Sequence, residues 1–144
     1  MVTNSVDIQL VAEEAPVYAK PGDAGADLKA AADFVLQPGD RALVPTGVRV
    51  ALPEGFALFV MPRSGLAAKH GVTVLNAPGV VDSGYRGEIF VPLINHDREH
   101  AFEIKKGDRI AQLVVMAVPA VNFISVTELP TSDRGEGGFG STGV

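Results

Sequence analysis

Val6, Ile8 and Leu10 alternate with Asp7 and Gln9, the period of a strand with one buried face. Val48, Val50 and Leu52 repeat the pattern after Pro45-Thr46-Gly47. Further strand-like runs follow at FALFVM (56–61), VTVL (72–75), EIFVPLIN (88–95), AFEI (101–104), RIAQLVVMAV (109–118) and NFISVTEL (122–129). Turn clusters divide them at Gln37-Pro38-Gly39-Asp40, Pro53-Glu54-Gly55, Asp82-Ser83-Gly84 and Lys105-Lys106-Gly107-Asp108. About eight to ten short strands so spaced predict an all-β, single-domain, jelly-roll-like sandwich or barrel. Pro92 cannot donate to a ladder, which predicts a bulge or an edge position for its strand. Val114 to Val121, apolar with little alternation, predicts a strand buried on both sides.

Two segments could be helical. Ala26 to Phe34 is rich in helix formers, but Gly22 and Gly25 give it no good cap, so it reads as extended. Ser64-Gly65-Leu66-Ala67-Ala68-Lys69-His70 closed by Gly71 reads as a short helix with Ser64 at the N-cap and Gly71 beyond the end. After Pro130 the chain has one aromatic, Phe139, and five glycines. The reading is therefore a β domain over 1–130 and a mobile Gly-rich arm over 131–144.

Composition narrows the class. A chain of 144 residues and 15.0 kDa is one ordinary domain. Sixteen Gly and ten Pro exceed the usual share and argue against a helical bundle. Twelve basic against seventeen acidic residues, net −5, argue against non-specific binding to nucleic acid. The absence of Cys excludes disulfides, Cys-based zinc sites and a thiol nucleophile. No apolar run approaches the length of a membrane span and no signal peptide is visible, so the expectation is a cytoplasmic domain without membrane contact.

Five polar, Gly-rich blocks are not explained by folding alone: PGDAGADL (21–28), PRSGLAAKHGV (62–72), NAPGVVDSGYRGEI (76–89), GDRIAQLVV (107–115) and RGEGGFGSTG (134–143). Glycine lets backbone N–H groups approach an oxyanion, and Arg and Ser add donors. Arg63, Ser64 and Gly65 together make an anion cradle, and Arg134 with the Gly-Ser-Thr-Gly run makes a second. Basic cradles beside carboxylates suggest a metal-assisted phosphate reaction. Asp27 and Asp82, each among small residues, are the leading carboxylates, although capping a turn is the commoner use of Asp beside Gly.

In order and content the five blocks resemble the five motifs of the trimeric deoxyuridine triphosphatases (dUTP nucleotidohydrolases), from residue 21 to 143. The third block and the C-terminal run carry most of the resemblance. It implies hydrolysis of dUTP to dUMP and pyrophosphate, supplying dUMP for thymidylate synthesis and keeping uracil out of DNA. It further implies a Mg²⁺ cofactor and a homotrimer whose sites are shared between subunits, with Val114–Val121 at a central contact. By position, Asp82 resembles the general base that deprotonates the attacking water. Asp27 resembles the carboxylate that holds the Mg²⁺ hydration shell. Asn76 and the backbone of Gly79, Val80 and Val81 resemble the uracil reader, with Phe90 adding a main-chain contact. Tyr85 resembles the ring beneath the deoxyribose. Arg63, Ser64, Gly65 and Gln112 would meet the phosphates. Phe139 resembles the aromatic that stacks on uracil, and Arg134, Ser141 and Thr142 the groups that close on the γ-phosphate.

Other polar residues read as structure. His96 and His100 fall in a polar connection, His70 at the end of the short helix caps carbonyls, and Lys105-Lys106 is a solvated hairpin. Ser64 has no His–carboxylate pair to activate it as a nucleophile. Two further readings fit parts of the pattern: a dCTP deaminase of the same fold, and a non-catalytic jelly-roll binding module.

Overall fold

The computed structural model describes residues 5–141 and 143. Among them are eleven strands and one short helix: β1 (Gln9–Val11), β2 (Ala26–Lys29), β3 (Phe34–Leu36), β4 (Arg41–Pro45), β5 (Arg49–Ala51), β6 (Phe56–Met61), α1 (Ser64–His70), β7 (Val72–Val74), β8 (Gly79–Val81), β9 (Phe90–Asn95), β10 (Phe102–Ile104) and β11 (Arg109–Ala117). All pairings are antiparallel, in sheets ordered β2-β11-β6-β8, β4-β9-β7, β1-β5 and β10-β3. This is the all-β jelly-roll architecture that the strand spacing predicts. No helix among the described residues is long and apolar enough to cross a membrane.

The core follows the alternation. Val91 and Leu93 of β9 point inward and meet Val44 of β4, Leu28 of β2, Leu36 of β3, Ile104 of β10 and Ile110 of β11, all essentially inaccessible to water. Each such side chain contributes roughly 1.5–3 kcal/mol by leaving water. Asn95 ends β9 as the one fully buried polar residue described. Its Nδ2 donates to the carbonyls of Leu36 at 3.0 Å and His100 at 2.9 Å, and its Oδ1 accepts from the Asp97 N–H at 2.9 Å. With every polar atom satisfied, its burial joins β3, β9 and the connection to β10.

Several expectations are corrected. Pro92 lies on β9, the central strand of its sheet, opposite Leu43. Its carbonyl accepts from Leu75 N–H at 2.7 Å, so the face lacking a donor is turned toward the chain just after β7 ends. The shortness of β7 removes the need for that donor. The N-cap of α1 is Arg63, not Ser64: Arg63 is extended and its carbonyl accepts the first helical bond, from Ala67. Gly71 does end the helix, at φ +64°. The His70 ring packs on Phe102 with centroids 5.0 Å apart instead of capping the helix.

At the N-terminus β1 is short and exposed throughout, despite its alternation. The expected strand at 122–129 is irregular and exposed, with Phe123 92% accessible. Likewise 114–121 is not buried on both sides: β11 ends at Ala117, and Met116, Val118 and Val121 face outward. In each case the apolar pattern is present and the single chain supplies no surface to cover it. The segment at 26–34 is extended, as expected, forming β2 and the start of β3.

Candidate active site

The expected site residues fall into three groups. The first surrounds the loop leaving β8, which crosses from the sheet of β8 to that of β9. Gly79 to Val81 pair with Val60 to Leu58 of β6. The chain then turns through Asp82 and Tyr85 and returns into β9 at Phe90. A cavity of about 290 Å³ lies on this loop, lined by Asn76, Gly79–Val81, Asp82, Tyr85 and Phe90. The Asp82 carboxylate is exposed at its rim. Gly79 sits in close quarters: a Cβ there would lie 3.2 Å from Val60 Cβ, so that side chain would have to give by a few tenths of an ångström, and 3.6 Å from Asn76 Nδ2. Leu43 and Pro92 also line this cavity and were not expected from the sequence. They are brought in by the β4–β9 register, which pairs them directly.

The loop is held from several sides. Tyr85 Oη donates to the Glu88 carbonyl at 2.8 Å. The Glu88 carboxylate accepts from Gly47 N–H at 2.7 Å. Arg86 Nη1 donates to the carbonyls of Ser83 at 2.6 Å and Tyr85 at 3.0 Å, while Arg49 Nε donates to the Arg86 carbonyl at 2.9 Å. A cavity on so constrained a loop is preformed.

The second group lies where β2, β11 and the start of α1 meet. The register pairs Asp27 with Gln112, and Gln112 with Met61. A cavity of about 340 Å³ is lined there by Asp27, Arg63, Ser64, Gly65 and Gln112. Asp23 and Arg109 join them, and neither was singled out in the sequence. Arg109 follows the Gly107-Asp108 turn, where a charge reads as solvated; only the β11–β2 pairing places it beside Asp27.

Asp27 lies between two guanidinium groups: Oδ2 is 3.4 Å from Arg109 Nη1 and Oδ1 is 3.8 Å from Arg63 Nε. Arg63 Nη1 in turn donates to the Arg109 carbonyl at 2.8 Å. Gln112 is half-buried and its Nε2 donates to the Pro62 carbonyl at 2.9 Å, fixing the chain just before Arg63. The arrangement holds two cations around one carboxylate and suits a polyanion. Among the described residues no three His, Asp or Glu side chains converge on a point.

The third group is the arm. Arg134 Nε donates to the Gly137 carbonyl at 2.9 Å, and Phe139 is fully exposed with φ +51°. Ser141 is exposed as well. None of the three lines either cavity. Thr142 lies outside the described residues. No residue lines both cavities, so one chain presents a base-sized pocket and a basic pocket separately.

His96 and His100 lie in an exposed turn in which Asp97 Oδ1 accepts from the Glu99 and His100 N–H groups, each at 2.8 Å. Those two hydrogen bonds, with a smaller contribution from the His100 ring, lower the Asp97 pKa below the ordinary carboxylate value.

A family model described as dUTPase matches residues 12–143. The deoxyuridine 5'-triphosphate nucleotidohydrolase of Leifsonia xyli is 60% identical over 142 residues, covering 99% of this chain and 93% of the relative. The enzyme of the same name from Thermobifida fusca is 62% identical over 128 residues, covering 89% and 72%. Among solved structures, the dUTPase of Staphylococcus bacteriophage 80alpha with dUPNHPP superposes with a TM-score of 0.86 at 30% identity, covering 99% of this chain and all of that one. A mutant dUTPase of phage phi11 of S. aureus, solved with coordination of a structural Mg(II) ion, gives 0.78 at 25% identity, covering 89% and 100%.

Proposed function

The chain belongs to the dUTPase family, hydrolases of dUTP, and from that premise we propose how its own residues perform the reaction. The observation that carries the proposal is the pairing of two preformed pockets on one fold. One is a base-sized cavity with a carboxylate at its rim; the other is a basic cavity with two arginines.

The uracil edge meets Asn76 and the backbone of Gly79–Val81, with Phe90 adding a main-chain contact. A pocket of fixed N–H and C=O groups rejects cytosine because reversed donors and acceptors leave buried groups unpaired, at about 1–3 kcal/mol each. The Tyr85 ring packs beneath the deoxyribose and leaves no room for a 2′-hydroxyl. The triphosphate lies against Arg63, Ser64, Gly65 and Gln112. Asp82 accepts a proton as water attacks the α-phosphorus. The bond to the bridging oxygen breaks, and pyrophosphate leaves with the electron pair. Charge on the leaving group is met by the guanidinium groups of Arg63 and Arg109, already gathered around Asp27 in the second cavity and free to turn to the phosphates.

The donor set fits Mg²⁺ held through its waters: the two carboxylates of this cavity, Asp27 and the exposed Asp23 that accepts from Lys20 N–H, are too few ligands for an inner shell, and the half-buried Asp27 would accept from coordinated water. When bound, the ion neutralises and orients the triphosphate. The domain over 1–130 carries both pockets, and the arm over 131–144 closes over the substrate. In that closure Phe139 stacks on the base, while Arg134, Ser141 and Thr142 meet the γ-phosphate, excluding water.

A homotrimer follows from the same reading. The pockets are separate on one chain, and the exposed apolar residues Met116, Val118, Val121, Phe123 and Ile124 offer a surface for a second copy. The protein acts in the cytoplasm on free nucleotide, with no nucleic acid or membrane as partner. Pyrophosphate release from dUTP, dTTP, dCTP and UTP tests the reading. Turnover of dUTP alone is expected, and equal cleavage of UTP or dTTP would overturn the pocket assignment.

A further inference from the structure

Gly87 lies in the loop from β8 to β9 with a backbone conformation open to any residue. No turn geometry makes this position glycine. It lacks space instead: a Cβ there would lie 2.6 Å from Tyr85 Cζ and 3.0 Å from Cε2, and would also collide with Oη. Something must move if a methyl is added. The backbone is poorly placed to do so. The Arg86 carbonyl before it is held by Arg49, and Glu88 after it is held through its carboxylate by Gly47 N–H. Arg86 further ties the carbonyls of Ser83 and Tyr85. The phenol is rigid and held by its hydroxyl on the Glu88 carbonyl at 2.8 Å. A methyl at 87 therefore breaks that bond and swings the ring out of its plane.

We propose that Gly87 is a specificity-determining positioning residue: the space above its α-carbon seats the Tyr85 ring against the sugar, and so sets discrimination between deoxyribose and ribose nucleotides. It acts through Tyr85 and touches no substrate. The inference rests on the reading that Tyr85 packs beneath the deoxyribose.

The test compares kcat/KM for dUTP and UTP in wild type, Gly87→Ala, Tyr85→Phe and Tyr85→Ala. Tyr18 and Tyr85 are the only tyrosines and there is no Trp. In a Tyr18→Phe background, acrylamide quenching of tyrosine fluorescence thus reports Tyr85 alone. Gly87→Ala is expected to lower the dUTP-to-UTP ratio by at least about tenfold, the scale of a misfitted pocket wall, and to raise quenching. Tyr85→Phe keeps the ring, frees it from Glu88 and adds no bulk, so it serves if Gly87→Ala fails to fold; its ratio should fall several-fold. Equal loss with both substrates in Gly87→Ala, or a wild-type ratio in either variant, overturns the inference. A wild-type ratio in Tyr85→Ala instead sinks the reading of Tyr85 itself. A collapsed ratio there with wild-type behaviour in the other two sinks only the role of Gly87.

Discussion

Arg109 Nη1 lies 3.4 Å from Asp27 Oδ2 across the β11–β2 ladder. The contact is longer than the roughly 2.7–2.9 Å of a tight charge-assisted bond, and the guanidinium is half-exposed. Arg109 is thus directed toward the basic cavity without being locked to its partner, and can turn to a phosphate at small cost. Arg109→Ala should raise KM for dUTP about tenfold or more while leaving dUMP affinity near wild type, because the base pocket is elsewhere. Steady-state kinetics and calorimetric titration with dUMP check the two halves of that expectation.

Asp82→Asn keeps the side-chain shape and removes the proton acceptor. Turnover should fall by about 10²–10⁴, the usual worth of a general base, with KM little changed. A variant with full turnover would remove Asp82 from the base role.

Truncation after Pro130 removes the arm, whose described residues contribute nothing to the buried core. Circular dichroism and the thermal midpoint should match the full chain, and pyrophosphate release should drop to a small fraction of it.

Asn95→Ala leaves the carbonyls of Leu36 and His100 without their donor inside the fold. Loss of these bonds should cost about 2–4 kcal/mol, read from urea unfolding.

The Asp97 turn gives a pH signature. Its pKa is lowered in the folded state by the Glu99 and His100 N–H groups. A lowered folded pKa means the folded state favours the ionised form. That contribution is complete above the unfolded value of about 3.9, and fades as pH falls through the lower folded value. Asp97→Ala should therefore melt below wild type by a constant interval above about pH 5, and the interval should narrow in more acidic buffer. Thermal midpoints measured from pH 7 down to the acid limit would show it.

The strands were legible because short apolar or alternating runs bounded by turn clusters mark them: FALFVM coincides with β6, and VTVL and AFEI differ from β7 and β10 by a single end residue. Alternation does not encode the partner, so NFISVTEL reads as a strand and lies exposed in the single chain. Pro92 misleads for a related reason, since its tolerance depends on where β7 stops. At the site, the Gly-rich blocks pointed to Asp27, Asp82 and Arg63, and the resemblance to the dUTPases added Asn76, Tyr85 and the base pocket, while Arg109, Leu43 and the steric role of Gly87 arise from register and close approach. The first two are relations between distant positions, and the third, though only two residues from Tyr85, depends on how the loop folds back on itself, so no local pattern reports them.

The separation of the two pockets has a genetic consequence. A copy broken at Asp82 still offers an intact basic cavity, and a copy broken at Arg63 still offers an intact base pocket. In the proposed trimer with sites shared between copies, two individually dead alleles, co-expressed, should complement one another, while one dead allele beside a working one should depress activity; independent activities of the two copies would overturn the shared site.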